Sequence, residues 1–212
     1  MESVPVETTL YSLSDAPPAP EDRRDGERHM SLYRVGSLSI GERRELCLIK
    51  NISAGGMMVR SYCTIPEGTA LAVELKCGQP IAGIASWYRA PNVGIAFDTP
   101  IDVIDILSTS MQGPRPRMPR IAIDSFITVR DGASIYRMRA SDISQGGLKV
   151  RSETTIAPGS EVVVSLPSID PQQAVVRWHE GGQMGITFNR LLPLPLLVGW
   201  LQMQRDGMRA AC

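Results

Sequence analysis

The sequence predicts an all-β protein with appended helices, arranged as two small antiparallel β-barrels in tandem. Three observations carry this. One stretch of the chain occurs twice at a fixed spacing, its surroundings are short runs of alternating apolar residues, and those runs are separated by Gly and Pro turn signals.

The repeated stretch is Lys50-Asn51-Ile52-Ser53-Ala54-Gly55-Gly56-Met57-Met58-Val59-Arg60-Ser61. It returns as Ser141-Asp142-Ile143-Ser144-Gln145-Gly146-Gly147-Leu148-Lys149-Val150-Arg151-Ser152, 91 residues later (142 − 51). The same offset pairs Ile65 with Ile156, Gly68 with Gly159, Leu75 with Leu166, Trp87 with Trp178, Gly94 with Gly185 and Phe97 with Phe188. That period is too long for a solenoid unit, so it marks two homologous domains. A chain of 212 residues has room for two small ones.

Residues 1–21 carry Pro5, Pro17, Pro18 and Pro20 among acids and serines and read as a flexible tail. Glu21 to His29 then holds three arginines among four acids, a solvated arm unless its arginines act by geometry. The first domain spans 22–111. Its strand candidates are Leu46–Ile49 leading into Asn51, Met57–Val59, Ala70–Lys76, Ile81–Tyr88 and Asn92–Phe97. Ile101 to Leu107 suits a short helix after Pro100. Residues 112–120 form a linker stiffened by Pro114, Pro116 and Pro119. The second domain, 121–212, repeats the β pattern and closes with an apolar helix after Pro195.

Composition narrows the function. Formal net charge is zero, so non-specific attraction to DNA, RNA or an acidic membrane is not expected. No stretch is long enough to span a bilayer, and the N-terminus has neither the basic start nor the apolar run of a signal peptide. Cys47, Cys63, Cys77 and Cys212 show no Cys-x-x-Cys spacing and read as packed thiols of a cytoplasmic protein. His29 and His179 have no metal-ligand neighbours in sequence, and no nucleophile motif or P-loop is present. The expectation is therefore no enzyme, no catalytic residue, no metal and no cofactor.

Binding chemistry is better represented. In a strand, Asn51 and Ser53 share one face while Ile52 points to the core. Arg24 and Arg28 stand just ahead of the barrel. A guanidinium fork matches phosphate oxygens and the O6/N7 edge of guanine, and its plane stacks on a purine. An Asn or Asp oxygen accepts from the guanine edge, and a small hydroxyl beside glycine leaves room for a flat base. The group suits a compact guanine nucleotide with exposed phosphates. Plainer roles stand beside these: turn capping for Asn51 and Asp142, a barrel-closing bulge at each Gly-Gly pair, core burial for Trp87 and Trp178, and packing for Met57 and Met58.

Arg24-x-x-x-Arg28 followed by Asn51-x-Ser53-x-x-Gly56 resembles the two-part signature of the PilZ domain family. The resemblance implies six-stranded antiparallel β-barrels with an appended helix, and a bacterial receptor for the second messenger cyclic di-GMP. It implies that Arg24 and Arg28 clamp phosphates and guanine, that Asn51 and Ser53 meet a guanine edge, and that Gly56 keeps the surface open. Arg23 resembles the variant associated with an intercalated pair of ligand molecules. The second copy keeps Asp142-x-Ser144-x-x-Gly147, but Pro116 lies four residues before Arg120, and Arg115 and Arg117 only flank the required position. With Arg117, Arg120, Asp142, Ser144 and Gly147, it is either a non-binding partner, the favoured expectation, or a site of altered geometry. Ligand binding would order the arm and change the face offered to a downstream protein partner. The alternative is a PilZ-like protein-interaction module that binds no nucleotide.

Overall fold

The computed structural model of the chain describes residues 30–75, 80–106 and 118–210, with side chains described from 33 to 206 within those ranges. The expected tail, the arm with Arg23, Arg24 and Arg28, Arg117, Cys77 and Cys212 lie outside the described residues.

Twelve strands form two closed antiparallel barrels of six. The first contains β1 (Met30–Ile40), β2 (Arg43–Ser53), β3 (Gly56–Arg60), β4 (Ala70–Leu75), β5 (Ile81–Arg89) and β6 (Asn92–Phe97). The second contains β7 (Ile121–Asp131), β8 (Ser134–Ser144), β9 (Gly147–Arg151), β10 (Glu161–Ser165), β11 (Gln172–Glu180) and β12 (Gln183–Phe188). Both are ordered first–second–third–sixth–fifth–fourth around the barrel. Each strand of the second begins 91 residues after its counterpart, as Met30 and Ile121 do (121 − 30). The expected helix after Pro100 is present as helical residues 103–106 within the described residues. The C-terminal helix, α1 (Leu194–Ala210), starts one residue before Pro195, whose fixed φ suits a first turn.

Strand alternation builds the cores. Cys47, Ile49, Ile52, Met57, Val59, Val73, Val93 and Ile95 fill the first barrel. Their counterparts Met138, Ala140, Ile143, Leu148, Val150, Val164, Met184 and Ile186 fill the second. Burying one aliphatic side chain of this size contributes about 1.5–3 kcal/mol. The second core is extended by α1, through Leu197, Val198, Trp200 and Leu201. The Trp200 indole nitrogen, inside the fold, donates to the Pro167 carbonyl at 2.8 Å.

The two barrels are packed together by that helix. Leu46, on the outer face of β2, is buried in the core cluster of the second barrel, and Val35, Leu48 and Tyr62 pack against it. Gln202 Nε2 donates to the Tyr62 carbonyl at 2.9 Å, and Arg205 Nη2 donates to the Arg44 carbonyl at 3.1 Å. Arg205 also bonds the Glu45 carboxylate at Oε1, the oxygen that accepts from Arg43 Nη2 at 2.8 Å.

Candidate functional site on the barrel wall

The site is set by β-bulges, each of which inserts a residue and reverses the in–out alternation beyond it. The first barrel has register shifts between Ser31 and Arg34, Ile49 and Asn51, and Ala85 and Trp87. The second has them at the equivalent places, between Ala122 and Ser125, Ala140 and Asp142, and Val176 and Trp178. Cys47 and Ile49 point inward, so unbroken alternation would bury Asn51. The extra residue, Lys50, turns Asn51 and Ser53 outward and sends Ile52 into the core at 1% exposure. Ser141 does the same for Asp142 and Ser144.

The outward side chains then line up across four strands. Asn51 pairs with Met58, Met58 with Gly94, and Gly94 with Trp87. In the second barrel the row is Asp142, Lys149, Gly185 and Trp178. A Cβ at Gly94 or Gly185 would overlap the five-membered ring of the neighbouring indole, so each ring lies on its glycine. Trp178 is 41% exposed and Trp87 half-buried. Neither is the core residue expected from sequence, because the bulges at Ser86 and Arg177 face them outward. Met57 is core as expected, whereas Met58 belongs to the outer row beside Asn51.

The polar groups are partly engaged. Asn51 Oδ1 accepts from the Met58 amide at 3.2 Å. Ser53 Oγ and Ser144 Oγ donate to the carbonyls of Gly56 and Gly147, both at 3.1 Å. Their oxygens keep acceptor capacity. Each Gly-Gly pair contributes to a hairpin turn, with Ser53 paired to Gly56 and Ser144 to Gly147, and is not the bulge. A Cβ on Gly56 would run into the Ile95 carbonyl, and one on Gly147 into that of Ile186. These glycines are required by the close approach of the neighbouring strand, a different reason from the open surface expected for Gly56.

The two copies differ in what covers the row. In the second, Arg120 bonds Asp142 Oδ1 and Lys149 Nζ stands 3.4 Å from Oδ2. A Cβ on Gly146 would lie 3.3 Å from the Met118 sulfur and 3.5 Å from Leu191. In the first, Met58 replaces the lysine, Asn51 carries no charge, and nothing among the described residues lies within 4 Å of a Cβ on Gly55. A cavity of about 350 Å³ continues from the ends of β3 and β5, lined by Arg60, Tyr62, Cys63, Tyr88 and Pro91 among others. Arg60 sits over the Tyr62 ring at 5.6 Å. Each signature turn is also tied to the end of the last strand and to the segment after it. The Phe97 and Ile101 amides donate to Gly55 and Ala54, as those of Phe188 and Leu192 donate to Gly146 and Gln145.

The family model described as the PilZ domain matches residues 114–195. The second barrel is a PilZ domain. The first barrel shares the strand order, register and bulges of this PilZ domain, although the matched residues lie in the other copy. Among solved structures, the chain is similar to Borreliella burgdorferi PlzA in complex with c-di-GMP, at 13% identity over 79% of this chain and 86% of that one, TM-score 0.37. It is similar to Escherichia coli YcgR in complex with c-di-GMP, at 14% identity over 84% and 87%, TM-score 0.35. It is also similar to the Bacillus subtilis inhibitor of motility MotI/DgrA, at 14% identity over 84% and 99%, TM-score 0.33. No curated protein matches the chain. Among the described residues no three His, Cys, Asp or Glu gather as a metal site, and no helix is long and apolar enough to cross a membrane.

Proposed function

We propose that the protein is a bacterial, cytoplasmic receptor for cyclic di-GMP that binds through its first barrel and the arm ahead of it. The observation that supports this most is the outer row Asn51, Met58, Gly94, Trp87. It joins an uncharged acceptor, an apolar strip and an indole ring held flat on glycine, with the adjoining Gly55 turn left open by the described residues. A guanine would find an acceptor for its donor edge, with an apolar and aromatic wall beside it. Arg24 and Arg28 would fold over to pair its phosphates and stack on its exposed face, with Arg23 serving a second, intercalated ligand molecule. Ordering of that arm would change the surface offered to a downstream protein.

The second barrel is better read as a partner module. Asp142 already holds two cations and its turn is packed under Met118 and Leu191, so a ligand there would have to displace both arrangements. A charged pair broken without replacement costs more than an uncharged contact.

Calorimetric titration of cyclic di-GMP into the full chain tests the reading. Saturable binding is expected, with Arg24→Ala and Arg28→Ala each weakening it by about 1.5–3 kcal/mol, as for loss of a charge-assisted contact. Equal affinity for wild type and both variants would reject the arm as the clamp. No binding at all would leave the protein a PilZ-type interaction module.

A further inference from the structure

The outer faces of the two β-hairpins that open each barrel are equivalent in position and opposite in fate. In the first barrel, Val35, Leu46 and Leu48 face outward on β1 and β2, and the second barrel and α1 cover them. In the second barrel the equivalent positions are Phe126, Arg137 and Arg139, and nothing among the described residues covers them. Phe126 is 53% exposed, and Ile135 on the same face is 67% exposed. Arg137 lies over the Phe126 ring at 4.3 Å. Arg130, Arg139 and Arg151 stand around them on paired strands, all exposed. Among the described residues the carboxylate bonded to this group is Asp124, on Arg139.

We propose that the outer face of β7–β8 is a docking surface for an acidic amphipathic helix of a partner protein. The position is one where this fold already seats a helix, as α1 is seated on the first barrel. Phe126 and Ile135 supply an apolar anchor, and the arginines supply a charge that an acidic helix complements. The alternative occupant, α1 of a second copy, is disfavoured by the same residues. Its Arg205 finds Glu45 on the first barrel, whereas the equivalent position on the second is Tyr136, flanked by Arg137. A chain with zero net charge also lacks a wider positive field to hold nucleic acid around so small a patch.

The test uses the full-length ¹⁵N-labelled protein without nucleotide. One probe is a capped helical peptide with leucines along one face and glutamates on the other, and the second is oligothymidylate at the same ionic strength. Saturable peptide-induced amide shifts are expected on β7 and β8, weakened at least about tenfold by Arg137→Glu and by Phe126→Ser. Unchanged spectra for the rest of the chain would establish that both variants remain folded. The proposal is overturned by no saturable peptide binding, by binding that neither substitution weakens, or by tighter binding of oligothymidylate. Sedimentation showing wild-type dimers that Arg137→Glu or Phe126→Ser dissociates would likewise overturn it, since a second copy would then own the face.

Discussion

The indole of Trp178 lies on Gly185, its cross-strand neighbour, and the indole of Trp87 lies in the same way on Gly94. The glycine is a seat: it removes the side chain that would hold the ring off the sheet. This fixes the aromatic end of the row that Asp142 or Asn51 begins.

Substituting Ala at Gly185 would force the ring from its seat. A loss of about 1–3 kcal/mol is expected, as for overpacking, together with a changed tryptophan emission spectrum. Chemical denaturation and fluorescence of Gly185→Ala check this, with Trp178→Phe assigning the emission. An unaltered spectrum would mean that the ring is not seated on the glycine.

Arg205 reaches from α1 to Glu45, whose side chain is only 9% exposed. Arg205→Ala leaves that carboxylate to Arg43 alone, so a loss of about 1–3 kcal/mol is expected for a buried charge deprived of a partner. Arg43→Ala, at a side chain 60% exposed, should cost less. Urea denaturation of the two variants measures the difference, and the reverse order would contradict the buried pairing.

Arg139, by hydrogen bonding and charge, holds the Asp124 carboxyl below its ordinary range, with Arg151 adding to the effect. A depressed folded value means that the contribution is present above the unfolded carboxyl range and is lost as pH falls through the folded value. Carbon-detected NMR titration should find Asp124 titrating low in wild type and nearer the ordinary value in Arg139→Gln. Matching titrations in both proteins would remove this ion pair from the account.

Burial pushes the Cys47 thiol up to about 12, so it stays protonated in the folded barrel at neutral pH. Any stability contributed by the raised value is intact below the ordinary value of 9.0 and falls as pH rises above it, where the unfolded thiol ionises first. Alkylation followed by peptide mapping should label Cys63 well before Cys47. Equal rates would show that the first barrel opens readily.

Much of this was legible. The 91-residue offset fixed two like domains, and the order Asn51, Ile52, Ser53 fixed which side chains share a face. The bulges were not legible, because Lys50 and Ser141 share no character and neither is glycine. Core burial, the plainer expectation for two aromatics, would hold for Trp87 and Trp178 only if alternation ran unbroken from the buried Ala85 and Val176. A signal was present: each Trp is followed seven residues later by a glycine (94 − 87 and 185 − 178), the spacing of a cross-strand pair around a tight turn. The packing of the barrels was also half-written. Leu46 and Leu48 at outward positions, against Arg137 and Arg139 in the other copy, mark which face is covered. The contribution of Arg23, Arg24 and Arg28 lies beyond the described residues.

The seating of Leu46 inside its neighbour's core has a practical corollary for anyone dissecting the molecule. Cutting the chain between the domains would strip Val35, Leu46 and Leu48 of their cover and leave a greasy flank on the amino-terminal piece. That fragment should clump when expressed alone.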